Sequence, residues 1–269
     1  MGKPGGFGIL ALNAFEDGVR RRAFLILLFL GLLIGVQALY QWGYMGMAIS
    51  AGETDMLANL KGDFIVTLLG MMGFWGTLLG LFLGSVGLSS EIRNRTIVPV
   101  LSRPVGRVTF FLAKWTGTMA FLTLFCGIGM LPGLALAFHW QLYPTPLFAL
   151  GIVEIVLSVA IVSGVSLALS AIVHPVAAGG ATLFILFLPS LTADLVHHPN
   201  VLLTFVGLAG LYLAPASMPE SLLEAGLTKG LLDPDYRLYV SVVVENGGYA
   251  LTAVLGGAIA FSARELRIR

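Results

Sequence analysis

Charge is missing from this chain over lengths that no water-soluble core could absorb. No Asp, Glu, Lys or Arg occurs from Ala23 to Gly52, Phe64 to Ser90, Trp115 to Val153, Ile155 to Ala193 or Asn246 to Ala263. A helix crossing the hydrocarbon layer of a bilayer needs about 20 largely apolar residues, and each run supplies most of that or more. Within hydrocarbon the backbone has to satisfy its own hydrogen bonds, which a helix does segment by segment. Hydrophobic residues make up 57% of the 269 positions and charged residues 11%, where a soluble domain has about 25% charged. The chain therefore reads as an all-α integral membrane protein, with residues 1–269 forming one transmembrane domain.

Six spans are expected, near 23–40, 64–88, 109–138, 147–173, 176–195 and 240–262. Pro144 and Pro146 separate the third from the fourth, and His174-Pro175 separates the fourth from the fifth, because the residue before a proline is pushed out of helical geometry. The apolar run Val201–Leu213 is too short to cross. It is followed by Pro215, Pro219 and a Ser217-x-x-Glu220 pair with the spacing of a helix N-terminal capping box. Residues 199–237 are thus expected as an extracytoplasmic region of short re-entrant or interfacial helices. Near the start, Asn13, Glu16, Asp17 and Arg20 share one helical face, which suits an interfacial helix over 7–22.

Charge placement fixes the expected orientation. With the N-terminus inside, twelve of the fifteen Lys and Arg residues fall on the cytoplasmic side and only Lys61, Lys229 and Arg237 outside, as the positive-inside rule requires. A seventh span through Val201–Leu213 would move Arg264, Arg267 and Arg269 outside. Six spans with both termini cytoplasmic satisfy the rule. The single cysteine, Cys126, excludes an intrachain disulfide.

The chain has no phosphate-binding glycine loop, zinc-protease helix, serine elbow or paired cysteine site. It is not expected to be an enzyme by itself, to bind a cofactor directly or to hold nucleic acid. Any ATP and Mg must be handled by another polypeptide.

One segment is charged where its neighbours are not. Residues 88–108 carry Glu91, Arg93, Arg95, Arg103 and Arg107 between two apolar runs. Thr96 can cap a short helix with Ile97, Val98, Val100 and Leu101 as its apolar surface, and Pro104 stops it. An apolar helix rimmed by arginines can insert into a groove on a cytosolic partner or rest on lipid phosphates. From the residues alone both readings stay open.

The run EIRNRTIVPVLSRPVGR from Glu91 to Arg107, followed by Lys114, resembles the E-x-x-x-G-T-[LI]-x-x-L-L-[SA]-x-P-[VI]-[SG]-R…GK pattern of ABC-2-type transporter permeases. Arg95 stands where that pattern has Gly, and Ala113 precedes Lys114 where Gly is usual. The resemblance implies the ABC-2 (type V exporter) fold: an interfacial helix, six spans, a cytosolic coupling helix between spans two and three, and re-entrant helices before span six. It implies a permease in the bacterial inner membrane that pairs with a second copy and with two ATPase subunits, driving substrate movement, with export as the direction. Glu91, Arg93, Arg95, Thr96, Arg103, Pro104 and Arg107 then become coupling residues. Permeases serving nitrous oxide reductase copper-site maturation belong to the same family and resemble this chain in size and layout. A stand-alone ion-coupled carrier or membrane scaffold is the alternative from another class, with Glu154 or Asp194 as its coupling group.

Three further features bear on function. Gly76, Gly80 and Gly84 follow the small-xxx-small spacing that lets membrane helices approach closely, either within one subunit or between two. Glu154 lies inside the fourth span, where an ionisable group is costly and marks a transport path, unless it reaches the outer interface or bonds to Ser158. Met45, Met47, Met56, His197 and His198 are soft ligands on outer loops, but they are scattered, and no metal site is expected. The acidic outer loops, with Glu53, Asp55, Asp63, Glu220, Glu224, Asp233 and Asp235, could receive an extracytoplasmic partner protein or stay solvated.

Overall fold

The computed structural model describes residues 6–20, 54–93, 106–142, 146–197, 200–213, 215, 219–228 and 236–263, with isolated residues between 36 and 49. Its ordered elements are α1 (Gly6–Arg20), α2 (Thr54–Arg93), α3 (Arg107–His139), α4 (Pro146–Ser170), α5 (Pro175–Thr192), a 3-10 turn Ala193–Leu195, α6 (Val201–Leu213), α7 (Pro219–Thr228) and α8 (Tyr236–Ala263). Among the described residues there is no strand. Within α2, α3, α4 and α8, four stretches (Leu60–Ser89, Arg107–His139, Pro146–Ser170 and Arg237–Ala263) are long and apolar enough to cross a membrane. The expected first span, 23–40, lies almost wholly outside the described residues.

Boundaries differ from expectation for physical reasons. α2 begins at Thr54, ten residues before the expected 64, and runs to Arg93. Lys61 and Asp63 do not end it, because a helix can extend past the apolar layer, and Lys61 Nζ lies 6.0 Å from the Trp140 ring centre, a cation–π distance. α4 stops at Ser170, short of the expected 173, and Ala171–Val173 form a turn ahead of Pro175. α5 ends at Thr192 rather than 195. At 18 residues it is about 27 Å long.

The packing fixes helix directions. Gly73 faces Ile155 and Gly84 faces Ser163 and Ser166, so α2 and α4 run parallel. Gly129 meets Met72 and Gly133 meets Leu69, so α3 runs antiparallel to α2. Gly164 meets Val254 and Gly257 meets Ala168, which makes α8 parallel to α4. One end of the bundle therefore gathers the end of α2, the start of α3, the α4–α5 turn and the end of α8. A cluster of Leu88, Phe110, Phe111, Leu167, Val254 and Phe261 seals that end.

α6 and α7 are short and dock on different neighbours. Gly207 abuts Leu195 and Val196 and Gly210 abuts Thr192, so α6 runs antiparallel to α5. Leu223 packs on Gly151 and Gly226 on Phe148, so α7 runs antiparallel to α4. α6 has 13 residues, about 20 Å, and Val201, Leu202 and Phe205 on it are exposed. A Cβ at Gly226 would fall 2.5 Å from the Phe148 Cα, with the Phe148 amide closer still. Backbone cannot yield as a side-chain tip can, so Gly226→Ala is expected to undock α7. The expected loss is about 3 kcal/mol, read as a lower unfolding midpoint in detergent and faster proteolysis of 215–235.

Candidate functional site

α1 is not a free raft on the bundle. It crosses α3 where Gly117 leaves no room for a side chain, against Ala11 and Ala14. Phe15 meets Phe121 edge-on, with ring centres 6.1 Å apart. This contact carries Asp17, from the expected polar face of α1, to Lys114.

Lys114 is the hub of the candidate site. Its Nζ donates to Glu91 Oε1 at 2.6 Å and to Asp17 Oδ2 at 3.1 Å. The ammonium is nearly buried, Glu91 is about one-fifth exposed and Asp17 about half. One cation thus ties the end of α2, the start of α3 and the N-terminal helix together. The geometry follows from register: Lys114 is one turn below the crowded Gly117 crossing, and Glu91 extends α2 one turn beyond the buried Leu88. Nearby, Arg107 donates from Nη1 to the Ser262 carbonyl at 3.2 Å, linking the start of α3 to the end of α8.

The structure places the two flanks of the expected coupling segment, not its middle. Glu91 and Arg107 are described, and Arg93 is the last residue of α2. Arg95, Thr96, Arg103 and Pro104 lie outside the described residues. Asp17 went unnoticed as a functional candidate. Its membership of the polar face of α1 was the available signal, but nothing in the chain specifies which cation an exposed acid will meet.

The three seam glycines face α4 of the same chain. A Cβ at Gly76 would meet Cys126 Sγ and, at 3.1 Å, Val159; at Gly80 it would lie 3.4 Å from the Val159 carbonyl; at Gly84, 2.8 Å from the Ser163 carbonyl and 2.9 Å from Ser166 Cβ. Ser166 Oγ donates across the same seam to the Leu81 carbonyl at 2.9 Å.

Glu154 is fully buried. Its Oε1 accepts from the Asn246 side-chain amide on α8 at 2.5 Å, and Oε2 has no hydrogen-bond partner among the described residues. Asn246 is thus the partner of Oε1, and the buried carboxyl group does not reach the outer interface. Of the scattered soft ligands, Met47 and His197 are exposed, and the described residues contain no group of three or more His, Cys, Asp and Glu fit for a metal. Asp194, in the 3-10 turn after α5, is exposed.

The class these features define is a multi-helix membrane protein with a polar clamp at one end and a buried carboxyl–amide pair in its interior. No family model matches the chain, and no curated protein matches it.

Proposed function

We propose that this chain is the membrane-embedded permease subunit of an ATP-binding cassette transporter of the ABC-2 type, working as a pair of identical subunits with two separate ATPase subunits. The observation that carries the reading is Lys114 held between Glu91 and Asp17. A segment that transmits force needs its two flanking helices tied at their roots, or a push would bend the elbow instead of moving the spans. The Lys114–Glu91 pair supplies that tie, and Asp17 adds the N-terminal helix to the same rigid root. The arginine excess around 88–108 supports a cytosolic position for it. The two short helices α6 and α7 before α8 fit the re-entrant region such permeases carry before their last span.

In this mechanism the ATPases close on ATP, press the elbow, and tilt α2 and α3 together, so that the path switches between inward and outward openings. Export is the proposed direction. Glu91 and Lys114 act as positioning residues, and the arginines at 93, 95, 103 and 107 meet the partner. Co-expression with an ATP-binding cassette ATPase encoded beside this chain should give a complex that survives detergent extraction. Charge reversal at Arg103 should lower its yield about tenfold, and absence of copurification with the wild-type chain would reject the proposal.

A second reading, an ion-coupled carrier needing no ATPase, is favoured by one observation: the buried Glu154–Asn246 pair between α4 and α8.

A further inference from the structure

Glu154 lies eight residues into α4, about 12 Å along its axis, in a stretch whose other residues carry no charge. Above it Leu147, Leu222 and Tyr239 close the space, with Leu150 and Val243 against them. Below it Ala160, Ile161 and Ala250 do the same. Water is therefore shut out from both sides along the α4–α8 seam. An isolated carboxylate in such surroundings is prohibitively costly unless its charge is compensated. The single amide donor from Asn246 satisfies one oxygen and leaves Oε2 bare.

Among the described residues no cation is bonded to it. α4 has no other ionisable residue, α5 has none, and α2 has none between Asp63 and Glu91. Between Lys114 and His139, α3 offers only Cys126, which faces Gly76 and the Met72 carbonyl. α7 carries Glu220 and Glu224, the latter exposed, and α8 carries exposed Arg237 and Glu245 with Tyr249 one turn beyond Asn246. Three of these neighbours are acids, so they cannot neutralise a fourth, and Arg237 is exposed and nine positions before Asn246.

We infer that Glu154 Oε2 with Asn246 forms a binding site for one monovalent positive charge, carried by a hydrogen ion or a small alkali ion, at the α4–α8 seam. A lone carboxylate matches a single positive charge, and the absence of a three-ligand cluster among the described residues argues against a divalent metal. Binding a hydrogen ion converts the carboxylate to the acid with no other bond changed. Separation of α8 from α4 would open the site to water and release the charge. The inference goes beyond the permease reading and does not depend on it.

The test is infrared difference spectroscopy on the full-length protein reconstituted in lipid, at neutral pH, with sodium exchanged for a large organic cation. If the occupant is a hydrogen ion, a carboxylic-acid carbonyl band is present without sodium, shifts in heavy water and is lost in Glu154→Gln. Asn246→Leu, which keeps the carboxyl group, moves that band to higher frequency without removing it. If the occupant is an alkali ion, the acid band is absent and a carboxylate band lost in Glu154→Gln shifts between sodium and the organic cation. A carboxylate band at Glu154 that sodium leaves unmoved, with no acid band, overturns the inference. Copurification with an ATPase is unaffected by any of these outcomes.

Discussion

Gly84→Ala should destabilise the protein by about 2 kcal/mol, and Gly84→Leu should leave no folded protein to purify. The added Cβ at this position meets the Ser163 carbonyl at 2.8 Å and the Leu167 amide nitrogen at 3.1 Å. Both are backbone, so the whole of α2 would have to move off α4. Four residues earlier the same substitution should cost almost nothing. At Gly80 the nearest atoms are 3.4–3.5 Å away, ordinary contact, and alanine is the better helix former by about 1 kcal/mol. Gly76 falls between, because its closest neighbour is the Cys126 sulfur and that side chain can be shortened. Gly76→Ala should be rescued by Cys126→Ala, and a double-mutant cycle should show coupling of about 1 kcal/mol between them. Unfolding in mixed micelles reads the alanine variants. Equal costs at positions 80 and 84 would mean that the seam is not where these contacts put it.

Lys114→Met should be the most damaging single change at the polar end of the bundle. It leaves two carboxylates facing the place where one ammonium held both. Removing one partner of a fully buried pair costs about 3–5 kcal/mol. With Asp17 half exposed and Glu91 one-fifth exposed, solvent relieves part of that, and about 2 kcal/mol is expected. Adding Glu91→Gln to Lys114→Met should recover most of the loss, whereas adding Asp17→Asn should recover little, because the exposed arm is already screened. Raised salt should weaken the Asp17 arm and spare the Glu91 arm. Under the permease proposal, the stability-restored Lys114→Met/Glu91→Gln protein should still bind its ATPase but lose transport-linked ATP hydrolysis, since the two helices are no longer tied. Full coupling in that double variant would remove Lys114 from the mechanism.

How much of this was legible beforehand depends on how local each feature is. The run Val201–Leu213 reads as a helix too short to cross, and the structure has a helix with those bounds, because apolar length and flanking prolines are local signals. The glycine spacing on α2 likewise carries its own meaning, although it does not say whether the facing surface belongs to the same chain. The start of α2 was missed because Lys61 and Asp63 mark the edge of an apolar layer, not the edge of a helix. Asn246 was missed for a different reason. It lies at the start of an uncharged run and carries no charge, yet an amide inside an apolar helix is itself costly, and that was the signal that could have paired it with Glu154. The Asp17–Lys114 contact spans 97 positions and depends on how α1 crosses α3, which no pattern within either helix encodes.

Most direct of all is the sidedness of the polar end, because the motor proposal needs it to face the cytosol. Gly106 is exposed immediately before α3, and the sole native thiol, Cys126, is buried, so Gly106→Cys gives a single reactive group. A membrane-impermeant maleimide should leave it unlabelled on intact cells and label it in inside-out vesicles, with labelling suppressed when the ATPase is bound. Labelling from outside intact cells would turn the protein over in the membrane and contradict the account.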